Sequence, residues 1–127
     1  MGVDDYRIPL LITMLMSLLG CVSSGESVRA DVSADRRLAR GQILYKEHCV
    51  ACHGHEGEGT GYRDFVPPPG DLTSTEVQTK SEQELLQRIH EGSANTAMPA
   101  WKWVLSEQEA RDIVAYIQSL GERSDTR

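Results

Sequence analysis

The chain has 127 residues, with 13 Lys and Arg against 19 Asp and Glu, a formal net charge of −6. That length holds one small domain. An acidic chain without a basic cluster lacks the Lys/Arg array needed to displace counterions from phosphates, so nucleic-acid binding is excluded as a function class.

Residues 8–19, IPLLITMLMSLL, carry no charge. A bilayer-spanning helix needs roughly 20 apolar residues, so this stretch has the length of a signal-peptide apolar region instead. Its flank is atypical, because Asp4 and Asp5 outnumber Arg7 where a basic segment is usual. The following LLGC, residues 18–21, resembles a bacterial lipobox, which predicts a signal peptide over 1–20 and lipidation of Cys21. Lipidation would place the protein on the periplasmic side of a membrane. Ordinary cleavage after VRA, with Val28 and Ala30 before the cut, would give a soluble periplasmic form. Residues 21–34 are small and polar and read as a flexible tether, with the folded domain spanning 35–121 and a polar tail over 122–127.

Within the domain, Leu38, Gly41, Leu44, Tyr45 and His48 share one face at helical spacing and predict a helix from Asp35 to Cys49. Gly41 costs that helix about 1 kcal/mol relative to alanine, so a close approach by another backbone is expected there. A second helix begins at SEQELLQRIHEG. Ser81 and Glu84 form a capping box, Leu85, Leu86 and Ile89 an apolar stripe, and Gly92 a stop. A third begins at Ser106 with Glu109 repeating the box, buries Ala110, Ile113, Val114, Ile117 and Leu120, and ends at Gly121. Nothing reads as a strand, so the fold class is all-α, with three main helices and long loops.

Residues 54–80 are rich in glycine and include Pro67, Pro68 and Pro69. A structureless loop longer than about 15 residues is uncommon in a compact domain unless it is functional. Three short helices and a single Phe also offer little core. A large, flat apolar cofactor would give the loop something to wrap and the helices something to bury.

The segment Cys49-Val50-Ala51-Cys52-His53 names that cofactor. C-x-x-C-H is the attachment signature of c-type haem. Two thiols three residues apart reach the two vinyl groups from one side, and the following imidazole turns under the ring to ligate iron. A zinc site would need a second ligand pair, and a thioredoxin-like redox pair would need a βαβ setting. A plain Cys49–Cys52 disulfide would leave His53 and the loop unexplained. The sixth ligand follows by elimination. Met1, Met14 and Met16 fall in the expected signal, which leaves Met98, in the irregular segment ANTAMPAW. His/Met ligation is an electron-transfer pattern. His48 and His55 lie too close to the motif to reach the opposite face easily, and His90 is expected at the surface of its helix.

Taken in order and spacing, RGQILYKEHCVACHGHEGEGTG, PPPGDLT, IHEGSANTAMPAW and LSEQEARDIVAYIQSL resemble a monohaem class I c-type cytochrome over about residues 35–121. The resemblance implies a cytochrome c fold around one covalent haem c. It implies thioethers at Cys49 and Cys52, His53 as proximal and Met98 as distal iron ligand, and first and last helices that cross with Gly41 near Tyr116. It also implies a carbonyl from the Pro67–Pro69 stretch, here assigned to Pro68, accepting the Nδ1 proton of His53. Trp101, and less directly Trp103, would pack beside the haem, and Tyr62 and Arg63 would approach its propionates. The function implied is one-electron transfer between protein partners in a respiratory or dehydrogenase chain, by a monomer or by a subunit of a complex. The acidic charge suggests a basic docking surface on the partner. A haem-based gas sensor or peroxidase-like protein is the alternative, and it requires a labile sixth position.

Overall fold

The computed structural model describes residues 24–124, and all of the regular structure in that range is helical. Helices α1 (Ser24–His48), α2 (Val50–His53), α3 (Thr75–Gln78), α4 (Glu82–Glu91) and α5 (Glu107–Ser124) follow in chain order. Two compact units divide between Ser33 and Ala34, so the second unit begins one residue from the expected domain start. The expected signal and Cys21 lie outside the described residues.

Two expected boundaries are corrected. Residues 24–34 are helical rather than a flexible tether. No proline or glycine interrupts the run after Gly25, and alanines at 30 and 34 favour helix. Residues 29–33 of this first unit are exposed on every side. At the other end, α5 passes through Gly121 to Ser124. Gly121 makes room for a neighbour instead of stopping the helix, since a Cβ there would stand 2.4 Å from the Gln78 side chain. Gln78 spends its amide on the carbonyls of Leu72 (2.6 Å) and Ile117 (3.0 Å), tying α3 to α5.

Both capping boxes form. Ser81 N donates to Glu84 Oε2 at 2.8 Å, and Glu84 N donates back to Ser81 Oγ at 3.3 Å. Ser106 and Glu109 repeat the exchange at the same two distances. The stripes these caps launch are buried: Leu85, Leu86 and Ile89 from α4, and Ala110, Ile113, Val114, Tyr116, Ile117 and Leu120 from α5, joined by Tyr45 of α1.

Helix α1 meets α5 at Gly41. A Cβ on Gly41 would lie 1.9 Å from the Asp112 carbonyl oxygen and 3.1 Å from Tyr116 Cβ, so only glycine admits this approach. One turn on, the rings of Tyr45 and Tyr116 stack at a tilt, with centroids 5.1 Å apart. Beside the crossing, the buried Asp112 carboxylate receives Arg40 Nη2 at 3.0 Å, Arg37 Nε at 3.5 Å and the Gln108 amide at 2.9 Å. Arg111 in turn bridges Glu107 and Glu82 at 2.6 and 2.9 Å, linking α5 to α4.

Candidate functional site

Helix α1 delivers the Cys49–His53 segment almost without a break. Cys49 N donates to Tyr45 O at 2.8 Å, and Cys52 N and His53 N both fold back on Cys49 O at 3.1 and 2.9 Å. The two cysteines and the histidine therefore occupy a single turn, as the sequence implied. Gly54 ends it at a φ of 83°, its N–H bonded to Val50 O. The buried Tyr45 hydroxyl donates to Gly54 O at 2.8 Å, and burial pushes its acidity well below that of a free phenol.

The loop that follows is laced back onto the motif. Gly59 N donates to His53 O at 2.8 Å, Tyr62 N to Ala51 O at 2.9 Å, and Leu72 N to Gly57 O at 2.6 Å. These bonds satisfy carbonyls that a bare turn would leave open. They also bring residues 69–71 beside His53. Its Nδ1 lies 3.0 Å from Gly70 O. The carbonyl that meets His53 thus belongs to Gly70 and not to Pro68, because the chain reaches the ring only after the three prolines have passed, where the Gly57–Leu72 bond draws it in. With Nδ1 donating to a carbonyl, the tautomer is fixed and Nε2 carries the free lone pair.

Cys49 and Cys52 are free thiols, both half-buried. Burial, and then the neighbouring Cys52, push Cys49 up to about 12, so it is a neutral thiol at physiological pH. Among the described residues no group of three His, Cys, Asp or Glu side chains is placed to hold a metal ion. The residues present suit a haem held by two thioethers: two thiols and one imidazole within a single turn.

Met98 sits in a loop pinned at both ends. Gly92 closes α4, Ser93 N donates to Met98 O at 3.1 Å, and Trp101 N donates to Ile89 O at 3.1 Å. Met98, Trp101, Cys49, Val50, Leu44, Leu72 and Val77 are partly buried and pack against the same core cluster, so motif and methionine loop border one apolar surface. The His48 ring lies 5.5 Å from that of Trp101, which places the loop directly beside the turn bearing Cys49.

Trp103 is 84% exposed, with Lys102 Nζ 5.5 Å from its ring centroid, and does not pack with Trp101. The three-residue turn from Trp101, which accepts Val104 N and Leu105 N, swings it outward. Tyr62 and Arg63 are exposed, the Tyr62 ring set edge-on to Phe65. His90 is half-buried instead of standing at the surface, and its Nε2 is screened from solvent without a hydrogen bond. It lines a shallow hollow between α4 and the start of α5, with Arg111 and Glu107 opposite. Sequence reasoning missed Gly70 and the Tyr45 hydroxyl. The spacing Tyr-x-x-x-Cys, one helical turn before the motif, was the available signal for the second.

A family model described as cytochrome c oxidase, cbb3-type, subunit III matches residues 36–117. Among curated proteins, the cbb3-type cytochrome c oxidase subunit FixP of Bradyrhizobium diazoefficiens is 31% identical over 83 residues, covering 65% of this chain and 27% of the relative. Cytochrome c55X of Paracoccus denitrificans is 28% identical over 107 residues, covering 84% and 91%. Among solved structures, the KustC0563 c-type cytochrome superposes with a TM-score of 0.56 at 26% identity, covering 63% of this chain and 95% of that one. The chain thus spans about a quarter of the length of the cbb3 subunits it matches.

Proposed function

Since the chain belongs to the family of cbb3-type cytochrome c oxidase subunit III, and is a c-type cytochrome whose cofactor is one covalent haem c, we propose that it carries single electrons between protein partners of a respiratory chain without catalysing a bond-making reaction itself. The observation that carries the reading is the Cys49–His53 turn with Nδ1 of His53 already engaged by Gly70 O, since this leaves Nε2 as the free donor.

In this reading Cys49 and Cys52 hold the haem as thioethers, His53 is the proximal ligand, Met98 the distal ligand, and Trp101 packs at the ring's edge. Haem supplies a one-electron iron couple. The residues of the chain would hold it through both oxidation states. His53 is fixed through its backbone by Gly59 N and through its ring by Gly70 O. Met98 is fixed by bonds at its own N–H and carbonyl, the N–H to Thr96 Oγ1 at 3.2 Å. Ligands so fixed keep reorganisation small, and methionine opposite histidine raises the reduction potential.

The relatives named as oxidase subunits support a place next to a terminal oxidase, as a mobile carrier or as a subunit. A lipid anchor on Cys21 would confine the protein to the outer face of the cytoplasmic membrane. No helix among the described residues is long and apolar enough to cross one. The net charge of −6 fits a partner with a basic docking surface.

Visible spectroscopy of the haem-loaded protein, oxidised and then reduced, tests this. The expected result is a weak far-red band in the oxidised wild type that is lost in Met98→Ala, and no carbon monoxide shift in the reduced wild type. A reduced wild type that binds carbon monoxide readily, with Met98→Ala unchanged, would replace the electron-carrier reading with a sensor or peroxidase-like one.

A further inference from the structure

The carbonyl that meets His53 is held in place by its surroundings and not by its own residue. Gly70 is exposed, does not adopt a left-handed φ, and has nothing within 4 Å of where a Cβ would stand. What locates its peptide is the Gly57–Gly59 segment. Leu72 N is bonded to Gly57 O at 2.6 Å on one side. On the other, the Gly59 backbone lies directly against residues 69–71. A Cβ on Gly59 would be 2.7 Å from Pro69 O and 3.3 Å from both Gly70 C and Asp71 N.

Gly59 also touches the other end of the same hydrogen bond, since its N–H donates to the carbonyl of His53 at 2.8 Å. One residue thus abuts the peptide that supplies the acceptor and binds the backbone of the residue that supplies the donor. Its φ of +71° adds a second requirement for glycine.

We propose that Gly59 is a positioning residue that sets the length of the His53–Gly70 hydrogen bond, and through that bond the reduction potential of the haem iron. This rests on His53 being the proximal ligand. A carbonyl drawing on the Nδ1 proton raises electron density at Nε2, and a more basic ligand favours the more highly charged, oxidised iron. Lengthening the bond therefore moves the potential upward. A methyl group on Gly59 does this by pushing Pro69 O and the Gly70 peptide away from the ring. The same methyl group on Gly70 projects into open space and leaves the bond alone.

The test compares haem-loaded wild type, Gly59→Ala and Gly70→Ala by potentiometric titration, with NMR of the His53 Nδ1 proton in the reduced state. The expected result is a positive shift of midpoint potential in Gly59→Ala, with an upfield-shifted and faster-exchanging Nδ1 proton, and wild-type values for Gly70→Ala. Wild-type potential and wild-type Nδ1 resonance in Gly59→Ala overturn the proposal, as does an equal shift in Gly70→Ala. If Gly59→Ala does not accumulate as a folded protein, Asp71→Ala takes its place. Asp71 Oδ1 accepts Thr73 N at 2.8 Å and Thr73 Oγ1 at 2.7 Å, shaping the turn that follows Gly70 from an exposed position. Loosening it shifts the potential in the same direction, and an unchanged potential overturns the proposal. A wild type that carries no covalent haem, or whose spectrum lacks histidine ligation, instead removes the underlying reading, and this proposal with it.

Discussion

The Tyr45 hydroxyl and the Gly54 carbonyl, 2.8 Å apart, join the core of the protein to the residue that follows His53. Tyr45 is wholly buried and packs on Tyr116 of α5, so the last helix supports the Cys49–His53 turn through this side chain. Tyr45→Phe keeps the ring and removes the donor, leaving a buried carbonyl unpaired. A loss of about 1–3 kcal/mol in unfolding free energy is expected, measured by denaturant titration. A loss under a few tenths would mean that the hydroxyl is dispensable.

Gly41→Ala reverses the usual sign of helix propensity. In an exposed helix the change stabilises by about 1 kcal/mol. Here the new methyl group meets the Asp112 carbonyl at 1.9 Å, so α1 and α5 must separate. The expected outcome is a lower melting temperature, from a destabilisation typical of overpacking, about 1–3 kcal/mol. A more stable variant would show that the two helices do not cross at this residue.

Asp112→Ala removes the carboxylate that pairs with Arg37 and Arg40 and accepts the Gln108 amide. Both arginines retain solvent access, with side chains 40% and 60% exposed, so no charge is stranded. The loss is that of a charge-assisted hydrogen bond, about 1.5–3 kcal/mol, with little dependence on salt because the carboxylate is buried. Thermal melts at low and high ionic strength check both parts.

The two capping boxes carry a pH dependence. Glu84 and Glu109 are each held below the usual carboxylate range, first by the serine hydroxyl at the cap and then by the serine N–H. A carboxyl whose folded value is depressed contributes stability above its unfolded value, near pH 4.3, and loses it as pH falls through the folded value. Unfolding free energy should therefore drop on acidification below about pH 4.3. Glu84→Gln combined with Glu109→Gln should flatten that part of the profile, and an unaltered acid limb would assign it to other carboxylates.

How much of this was legible beforehand depended on whether the signal was local. Ser81 with Glu84 and Ser106 with Glu109 are complete within four residues, and both helices begin where those pairs place them. The unhelpful glycine at 41 pointed to a crossing, and the crossing is there. The Cys49–His53 spacing carried its chemistry in five letters. The misplacements came from tertiary context. Gly121 looks like a helix stop, yet the Gln78 side chain needs the space and the helix continues. Pro68 looked like the partner of His53, but the Gly57–Leu72 bond decides which carbonyl arrives, and it selects Gly70. Trp103 shares its chemistry with Trp101, and only the direction of one turn separates a packed indole from an exposed one. The helical run before Asp35 was misread because small polar residues suit both tethers and helices.

The crossing at Gly41 also bears on when the protein can close. Its contacts lie 71 and 75 residues further along, at Asp112 and Tyr116 of α5. Until those residues have been synthesised, α1 has no surface on which to lay Tyr45, and the turn that Tyr45 secures stays loose. A nascent chain would therefore keep both thiols of the motif open to a modifying enzyme, and would close only once α5 was available.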